Sequence, residues 1–345
     1  ASRSNLGKLT SFTCAFSSSS SSTTTKSAEN SAPSSSTSSG SSPLLLGKAE
    51  IKESLVYCES LVKRHEKEQY ICAMLGPEST WAATMALRAF NIETGLVKDS
   101  TSNPTTGAIR LQWWRDAIEA LYTGNETLDL VKQPVVAMLY ILLRRYYLPK
   151  EFFVDIINAR QDDLNSEGPD GIEALLRYAE QTQGSLVDLA LHTIALLDAD
   201  YPVAQRAARH AGKFVGLTTL LRATPFLAKR NLAYVPSCLL SEVGVSSEEF
   251  IAACISNQLS PPMKACLREL VLAAEAELAA ARELQKHLVR DVRLILLSTI
   301  PSQEYIKRLK KNDFEIGHPK VIEPTGFDPL FLRLRLRMAA FRGTF

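Results

Sequence analysis

The sequence predicts an all-α fold, a single large helical domain long enough to enclose a central cavity. From Glu50 onward, apolar residues recur at spacings of three and four, which places them on one face of a helix. The alternation typical of strands is absent except in LFLRLRLRM near the C-terminus, which fits a period of two as well as a helix. With 345 residues, 46% of them hydrophobic, the chain can bury a sizeable core.

The same periodicity predicts the helices in chain order. After the turn SNPTTG, where Pro104 interrupts the chain and Thr106 is a candidate cap, the apolar positions of LQWWRDAI begin a new helix. The segment after Pro262 carries the longest amphipathic pattern and predicts one long helix. Further helices are predicted at about 50–65, 79–98, 134–147, 149–165, 171–197 and 203–222.

Two local patterns predict how these helices pack. Trp113 and Trp114 are adjacent and therefore face different sides of their helix, so at least one belongs to the core. Gly212 and Gly216 are four residues apart and predict the close approach of another helix.

The first 49 residues differ from the rest in composition. They are rich in Ser and Thr, carry Arg3, Lys8 and Lys26, and contain no acidic residue before Glu29. Such a segment cannot bury enough apolar surface to fold, and the pattern is typical of an organelle transit peptide. We therefore predict a disordered transit peptide and linker over 1–49, for mitochondrion or plastid, followed by one domain over 50–345. A plain disordered tail is the alternative.

Composition excludes several classes of function. Lys and Arg number 39 against 37 Asp and Glu, so no global charge favours nucleic acid as a partner. The six cysteines and five histidines lack the spacing of a zinc site or of a disulfide framework. The most apolar run, Pro134–Leu143, has about half the ~20 residues that a membrane-spanning helix needs, and it predicts a buried helix.

Two segments resemble motifs of the squalene and phytoene synthase family. In FNIETGLVKD, Phe90 and Asp99 match the ends of the family's Phe-Cys-Arg-x-x-Asp-Asp-x-x-Asp helix. In LRATPFLAKRNLAYVP, Arg222 and Tyr234 match its second motif of Leu-Arg-Asp, a basic segment and Tyr-Leu-Pro. RQDDLN, with Asp163, and YAEQTQGSL follow in the family's order, so the resemblance covers most of 50–295. It implies an isoprenoid synthase fold.

The chain departs from the family where the family's carboxylates hold Mg²⁺. Gly95 and Leu96 stand at the first two aspartate positions of one helix, and Ala223 and Leu227 stand at both positions of the other. Those carboxylates bind the ions that neutralise a leaving diphosphate. The resemblance therefore implies a catalytically silent protein with no catalytic residue, metal or cofactor.

One branch of this superfamily has the same losses and closely similar segments, among them KNDFEIGHP. This branch acts in the assembly of mitochondrial complex I. The resemblance implies complex I subunits or other assembly factors as partners, and a place on the matrix side of the inner mitochondrial membrane. The alternatives are a divergent Mg²⁺-dependent prenyl synthase and a carrier of an apolar isoprenoid or lipid.

Five residues are candidates for family remnants that line the cavity: Phe90, Asp99, Asp163, Arg222 and Tyr234. For Arg222 the alternative is a helix-end arginine that pairs with backbone carbonyls or a carboxylate. For Asp163, together with Asp162, the alternative is a solvated helix terminus.

The C-terminal segment DPLFLRLRLRMAAFRGTF interleaves arginines with leucines. As a helix it aligns Leu330 with neighbouring apolar residues in one stripe between arginines, a pattern that suits a membrane interface. We expect Arg333, Arg335 and Arg337 to contact lipid phosphates of the inner membrane. In the alternative, this helix packs on the bundle and its arginines are solvated.

Overall fold

A computed structural model describes residues 46–101, 103–164, 166, 168–322 and 328–345. These residues form α-helices, a few short 3₁₀ turns and one π-helical turn, and they contain no β-strand. The predicted all-α fold class is therefore confirmed. The predicted transit peptide lies outside the described residues, except that the first helix begins at Lys48, inside the predicted linker.

The helices of the described residues are numbered here in chain order. They are α1 (Lys48–His65), α2 (Lys67–Leu75), α3 (Trp81–Ser100), α4 (Pro104–Thr123), α5 (Leu128–Val131), α6 (Pro134–Leu143), α7 (Lys150–Leu164), α8 (Ile172–Ala179), α9 (Ser185–Leu191), α10 (Tyr201–Ala228), α11 (Ser237–Glu242), α12 (Ser247–Ser256), α13 (Pro261–Glu283), α14 (Arg290–Ile295), α15 (Thr299–Lys311), α16 (Pro319–Ile322) and α17 (Asp328–Arg342).

The start of α4 shows how the sequence determines a helix boundary. Pro104 is the first helical residue, where its missing N–H costs nothing. The side chain of Asn103 accepts a hydrogen bond of 2.8 Å from the backbone N–H of Thr105. Asn103 is thus the cap, and the expectation of a cap at Thr106 is wrong because the helix begins earlier.

The strand-like alternation near the C-terminus is helical in the structure. Leu332, Leu336 and Ala339 are buried on one side of α17, at spacings of four and three. They pack with Leu297 and Ile300, so burial follows the helical period rather than a period of two.

Two large hydrophobic cores and two smaller apolar clusters are buried in the described part of the bundle. In the first, built mainly from α1, α3, α4, α6 and α7, the Phe90 ring lies edge-on to Trp114 and Phe153, with centroids 5.4 and 5.2 Å apart. The second core gathers α10, α12, α13 and α15 around Phe214 and Tyr305. Helix α10 packs against α8, α9, α13 and α15 and is the central helix of the fold.

Helices α8 and α9 are joined by a π-helical turn, Glu180–Gly184, which lies against α10. A Cβ atom placed on Gly212 would lie 2.4 Å from the backbone of Gly184. A Cβ atom placed on Gly216 would lie 2.5 Å from the Cβ atom of Ala179. The close approach predicted from the two glycines of α10 is confirmed, since no side chain fits between these backbones.

Other packing predictions are also confirmed. Trp114 is buried, whereas the neighbouring Trp113 is 41% exposed. The apolar run Pro134–Leu143 forms α6, and its residues are mostly buried. In the part of the chain that the structure describes, the cysteines are free thiols, most of them buried. None of the helices in the described residues has the length and apolar character to cross a membrane.

Candidate functional site

The candidate site lies on the face of α3 that points away from the aromatic core. Arg88, Asn91, Gly95 and Lys98 follow one another at spacings of three, four and three, so they share this face. Helix α3 is otherwise largely apolar and buried. The face is covered by α2, α7, α8 and the segment after α10, whose polar side chains meet it.

At the first end of this face, charged and amide groups form a chain of hydrogen bonds. Arg88 donates to Glu66 at 2.7 Å and to Gln69 at 3.0 Å. Asn91 donates to the other oxygen of Glu66 at 3.3 Å. The Arg88 and Glu66 side chains are only 11% and 19% exposed, so the pair is largely shielded from solvent.

In the middle of the face, a guanidinium group lies against a glycine. Arg160 of α7 donates to the side-chain oxygen of Asn91 at 3.3 Å and to the hydroxyl of Tyr178. A Cβ atom on Gly95 would lie 3.4 Å from Nη2 of Arg160. The guanidinium therefore occupies the space into which a side chain at position 95 would project.

At the far end, Lys98, Asp163 and Tyr234 form a compact cluster. Lys98 donates to the carboxylate of Asp163 at 3.0 Å, to its backbone oxygen at 2.7 Å and to the Tyr234 hydroxyl at 3.2 Å. Burial and the Asp163 carboxylate raise the pKa of the Tyr234 hydroxyl. That hydroxyl thus keeps its proton and donates a hydrogen bond of 2.7 Å to the Asp163 carboxylate.

Two further ion pairs join α10 and its C-terminal extension to the rest of the site. Arg230 donates to the Asp99 carboxylate at 2.5 Å, in a pair whose side chains are 42% and 48% exposed. Arg222 donates to Glu68 of α2 at 2.5 Å. These contacts connect α10 to the opposite side of the bundle.

The structure brings only some of the candidate remnants together. Asp163 and Tyr234 are in contact, and Asp99 lies next to their lysine in the chain. Arg222 pairs separately with Glu68, and Phe90 packs in the aromatic core described above.

The alternatives considered for two of these residues fare differently. Arg222 does pair with a carboxylate, but it is not at a helix end, because α10 continues through Pro225 to Ala228. Asp162 is exposed as a solvated terminus would be. Asp163 is not, since its side chain is 11% exposed and bonded on two sides.

Several residues of the site were not predicted from sequence. Arg88, Asn91 and Lys98 carry a signal, because polar residues at helical spacing on an otherwise apolar helix indicate a polar interior face. Arg160 and Glu66 carry no such signal, since their roles depend on which helices meet.

These residues do not fit a Mg²⁺ site. The carboxylates of Glu66, Glu68, Asp99 and Asp163 are each bonded to a cation of the protein, and α10 contributes the apolar residues Ala223 and Leu227. Mg²⁺ requires oxygen ligands in near-octahedral geometry. In the described ranges, moreover, no group of three or more His, Cys, Asp or Glu side chains is arranged to hold a metal ion.

Comparison with known families gives an extended match. The sequence profile described as squalene/phytoene synthase matches residues 62–328. The match thus includes every helix that forms the candidate site.

Among curated proteins, the chain is similar to "NADH dehydrogenase (ubiquinone) complex I, assembly factor 6". The protein of that name from Rattus norvegicus is 32% identical over 285 residues, which are 83% of this chain and 82% of the relative. The Homo sapiens protein is 32% identical over 279 residues, 81% of this chain and 80% of the relative.

Among solved structures, the chain resembles a dehydrosqualene synthase in complex with a ligand. The TM-score is 0.71 at 18% identity, and the similarity covers 85% of this chain and 99% of the other. This likeness supports the isoprenoid synthase fold.

Proposed function

Because this chain belongs to the squalene/phytoene synthase family, we propose that it is a catalytically silent member that acts in the assembly of mitochondrial complex I. Relatives that share about a third of its residues over most of its length are named as assembly factors of that complex. One observation carries the proposal of silence: four carboxylates of the candidate site, those of Glu66, Asp163, Glu68 and Asp99, are paired with Arg88, Lys98, Arg222 and Arg230.

The chemistry of the family explains why this observation matters. Ionisation of an allylic diphosphate builds negative charge on the leaving group, and metal ions held by carboxylates stabilise it by several kcal/mol. Every ~1.4 kcal/mol of that stabilisation is a factor of ten in rate. Here the guanidinium of Arg160 fills the space over Gly95, and the remaining carboxylates make contacts between helices. We infer that the charged side chains of this site stabilise the packing of the helices and do not bind a metal ion.

The proposal extends to location and partners. Complex I subunits or other assembly factors are the proposed partners, as the names of the relatives suggest. The basic, acid-poor composition of residues 1–49 supports import into the mitochondrion, and a place on the matrix side of the inner membrane follows from where complex I is built. The exposed Arg333 and Arg337 of α17 support peripheral contact with that membrane.

The test combines an enzyme assay with a cellular one. Asp99 is the one aspartate retained in the first family motif. Asp99→Asn removes its carboxylate, and the side chain is 48% exposed. We expect the purified full chain to release no diphosphate from farnesyl diphosphate with Mg²⁺. In cells that lack the protein, wild type and Asp99→Asn should restore complex I equally.

Each alternative function gives a different result. Mg²⁺-dependent diphosphate release above the blank, abolished by Asp99→Asn, would show a working synthase and overturn the proposal of silence. An isoprenoid or lipid recovered by solvent extraction of the purified protein, in stoichiometric amount, would favour the carrier. Normal complex I in cells lacking the protein would overturn the assembly role.

A further inference from the structure

The C-terminal helix α17 has two apolar faces, of which one is packed and the other is exposed among the residues that the structure describes. Its inner face consists of the buried residues Leu332, Leu336 and Ala339. The outer face is formed by large side chains that are 43% to 90% exposed: Leu330, Phe331, Leu334, Met338 and Phe341. At 3.6 residues per turn these five positions fall within an arc of about 100°. They form one continuous stripe, called here the outer stripe.

Arginines border the outer stripe on both sides. Arg333 and Arg337 lie along one edge, and Arg335 and Arg342 lie along the other. Between Leu330 and Arg342 the sequence has no acidic residue. Among the residues that the structure describes, the side chains of Arg333, Arg337 and Arg342 have neither a hydrogen bond nor an ion pair. These cations are therefore available to an outside anion.

A cavity of about 460 Å³ opens beside this helix. Arg282, Arg335 and Arg342 line it together with Gln303 and Met338, and no Asp or Glu is among its lining residues. Phe345 also lines it, and its backbone oxygen accepts from Arg282 at 3.0 Å. Arg282 donates to Gln303 at 2.7 Å, which holds one guanidinium in place. Met338 belongs to both the cavity and the outer stripe, so the cationic pocket adjoins the apolar surface.

Arg335 differs from the other arginines of α17. It turns toward the bundle, donates to Gln303 at 2.9 Å and pairs with Glu304. Burial and the nearby Arg282 lower the pKa of its guanidinium. Since Glu304 neutralises Arg335, the arginines of α17 left for an outside anion are Arg333, Arg337 and Arg342.

We propose that α17 is an interfacial helix that binds an anionic phospholipid surface, with its outer stripe among the acyl chains and a lipid phosphate in the arginine-lined cavity. This inference rests on the membrane contact proposed above and names the surface and the lipid chemistry. An apolar stripe with the unpaired Arg333 and Arg337 on one edge and the unpaired Arg342 on the other complements a bilayer, where phosphates lie on both sides of an inserted helix.

The test measures binding of the full chain to phosphatidylcholine vesicles with and without cardiolipin. We expect sedimentation with the anionic vesicles only, and weaker binding as salt is raised. The variant Arg333→Gln/Arg337→Gln/Arg342→Gln should bind about a hundredfold more weakly, from roughly fivefold per arginine near an anionic surface. Phe331→Ser/Phe341→Ser should also reduce binding, because it removes apolar side chains from the outer stripe.

A matched control removes the same charge elsewhere. Lys52, Arg64 and Arg206 are exposed on other helices, and their triple substitution by Gln should leave vesicle binding unchanged. Circular dichroism should show every variant folded, since the substituted side chains are exposed. Equal sedimentation of wild type and the α17 arginine variant, or equal loss in the control, would overturn the inference. Either result leaves the complex I assay untouched, so the two proposals fail separately.

Discussion

Replacing Asp163 by Asn tests whether the cluster at the end of α3 stabilises the fold. The asparagine keeps an oxygen that can accept from Tyr234, so the change removes mainly the charge opposite Lys98. The Lys98 and Asp163 side chains are 19% and 11% exposed, so the exposure of this ion pair is intermediate between that of a surface pair and that of a buried pair. Losing one partner costs about 3–5 kcal/mol when the pair is buried, and exposed pairs contribute about 0–1 kcal/mol.

From these limits we expect Asp163→Asn to lower the free energy of unfolding by about 2 kcal/mol. For a domain of this size that corresponds to a fall in Tm of roughly 4 °C. Thermal unfolding followed by circular dichroism measures it. The loss should change little with added salt, because a shielded pair is screened less than an exposed one.

The matched control is Asp99→Asn, which breaks the half-exposed pair with Arg230. Its cost should stay below about 1 kcal/mol and shrink further in salt. If both variants shift Tm equally, or if Asp163→Asn has no effect, burial does not govern these ion pairs and the reasoning is refuted.

Two other predictions concern packing and pH. Gly212→Ala should lower the free energy of unfolding by about 1–3 kcal/mol or more, because the new Cβ would lie 2.4 Å from the Gly184 backbone. Gly171→Ala is the control, since no atom lies near a Cβ at that position. Equal urea midpoints for the two variants would contradict the prediction. Burial raises the pKa of Asp188 from 3.8 to about 7, although Arg209 opposes the shift. The folded state then binds this proton more tightly than the unfolded chain, so stability falls as pH rises from about 4 to about 7. Asp188→Asn should flatten that slope and raise Tm above pH 7, and an unchanged Tm–pH profile would exclude the assignment.

The long helices were predictable because their periodicity is strong. Helix α13 and the turn before α4 follow from apolar spacing and from proline, without knowledge of tertiary contacts. Helices α11, α12, α15 and α16 were not predicted, and for α11 and α16 the reason is that four to six residues complete too few turns to show a period. The residues of the two large cores are those on the apolar faces that the same periodicity identifies, but which helices pack together depends on tertiary contacts.

The polar site was only partly predictable. The motif resemblance singled out Asp163 and Tyr234, which do meet, although they are 71 positions apart in the chain. It gave no indication that Arg160 would lie over Gly95, because that contact depends on how α7 crosses α3. Phe90, by contrast, matches the motif and nevertheless lies in the aromatic core, since a motif match does not fix the direction of a side chain.

The π-helical turn Glu180–Gly184 also constrains how this sequence can change during evolution. A π turn holds one residue more than the α turn it replaces. A deletion there would leave a continuous helix but rotate α8 by about 100° relative to α9. Ala179 and Gly184 could then no longer both face Gly216 and Gly212. Substitutions in this turn are therefore easier to accommodate than any change in its length.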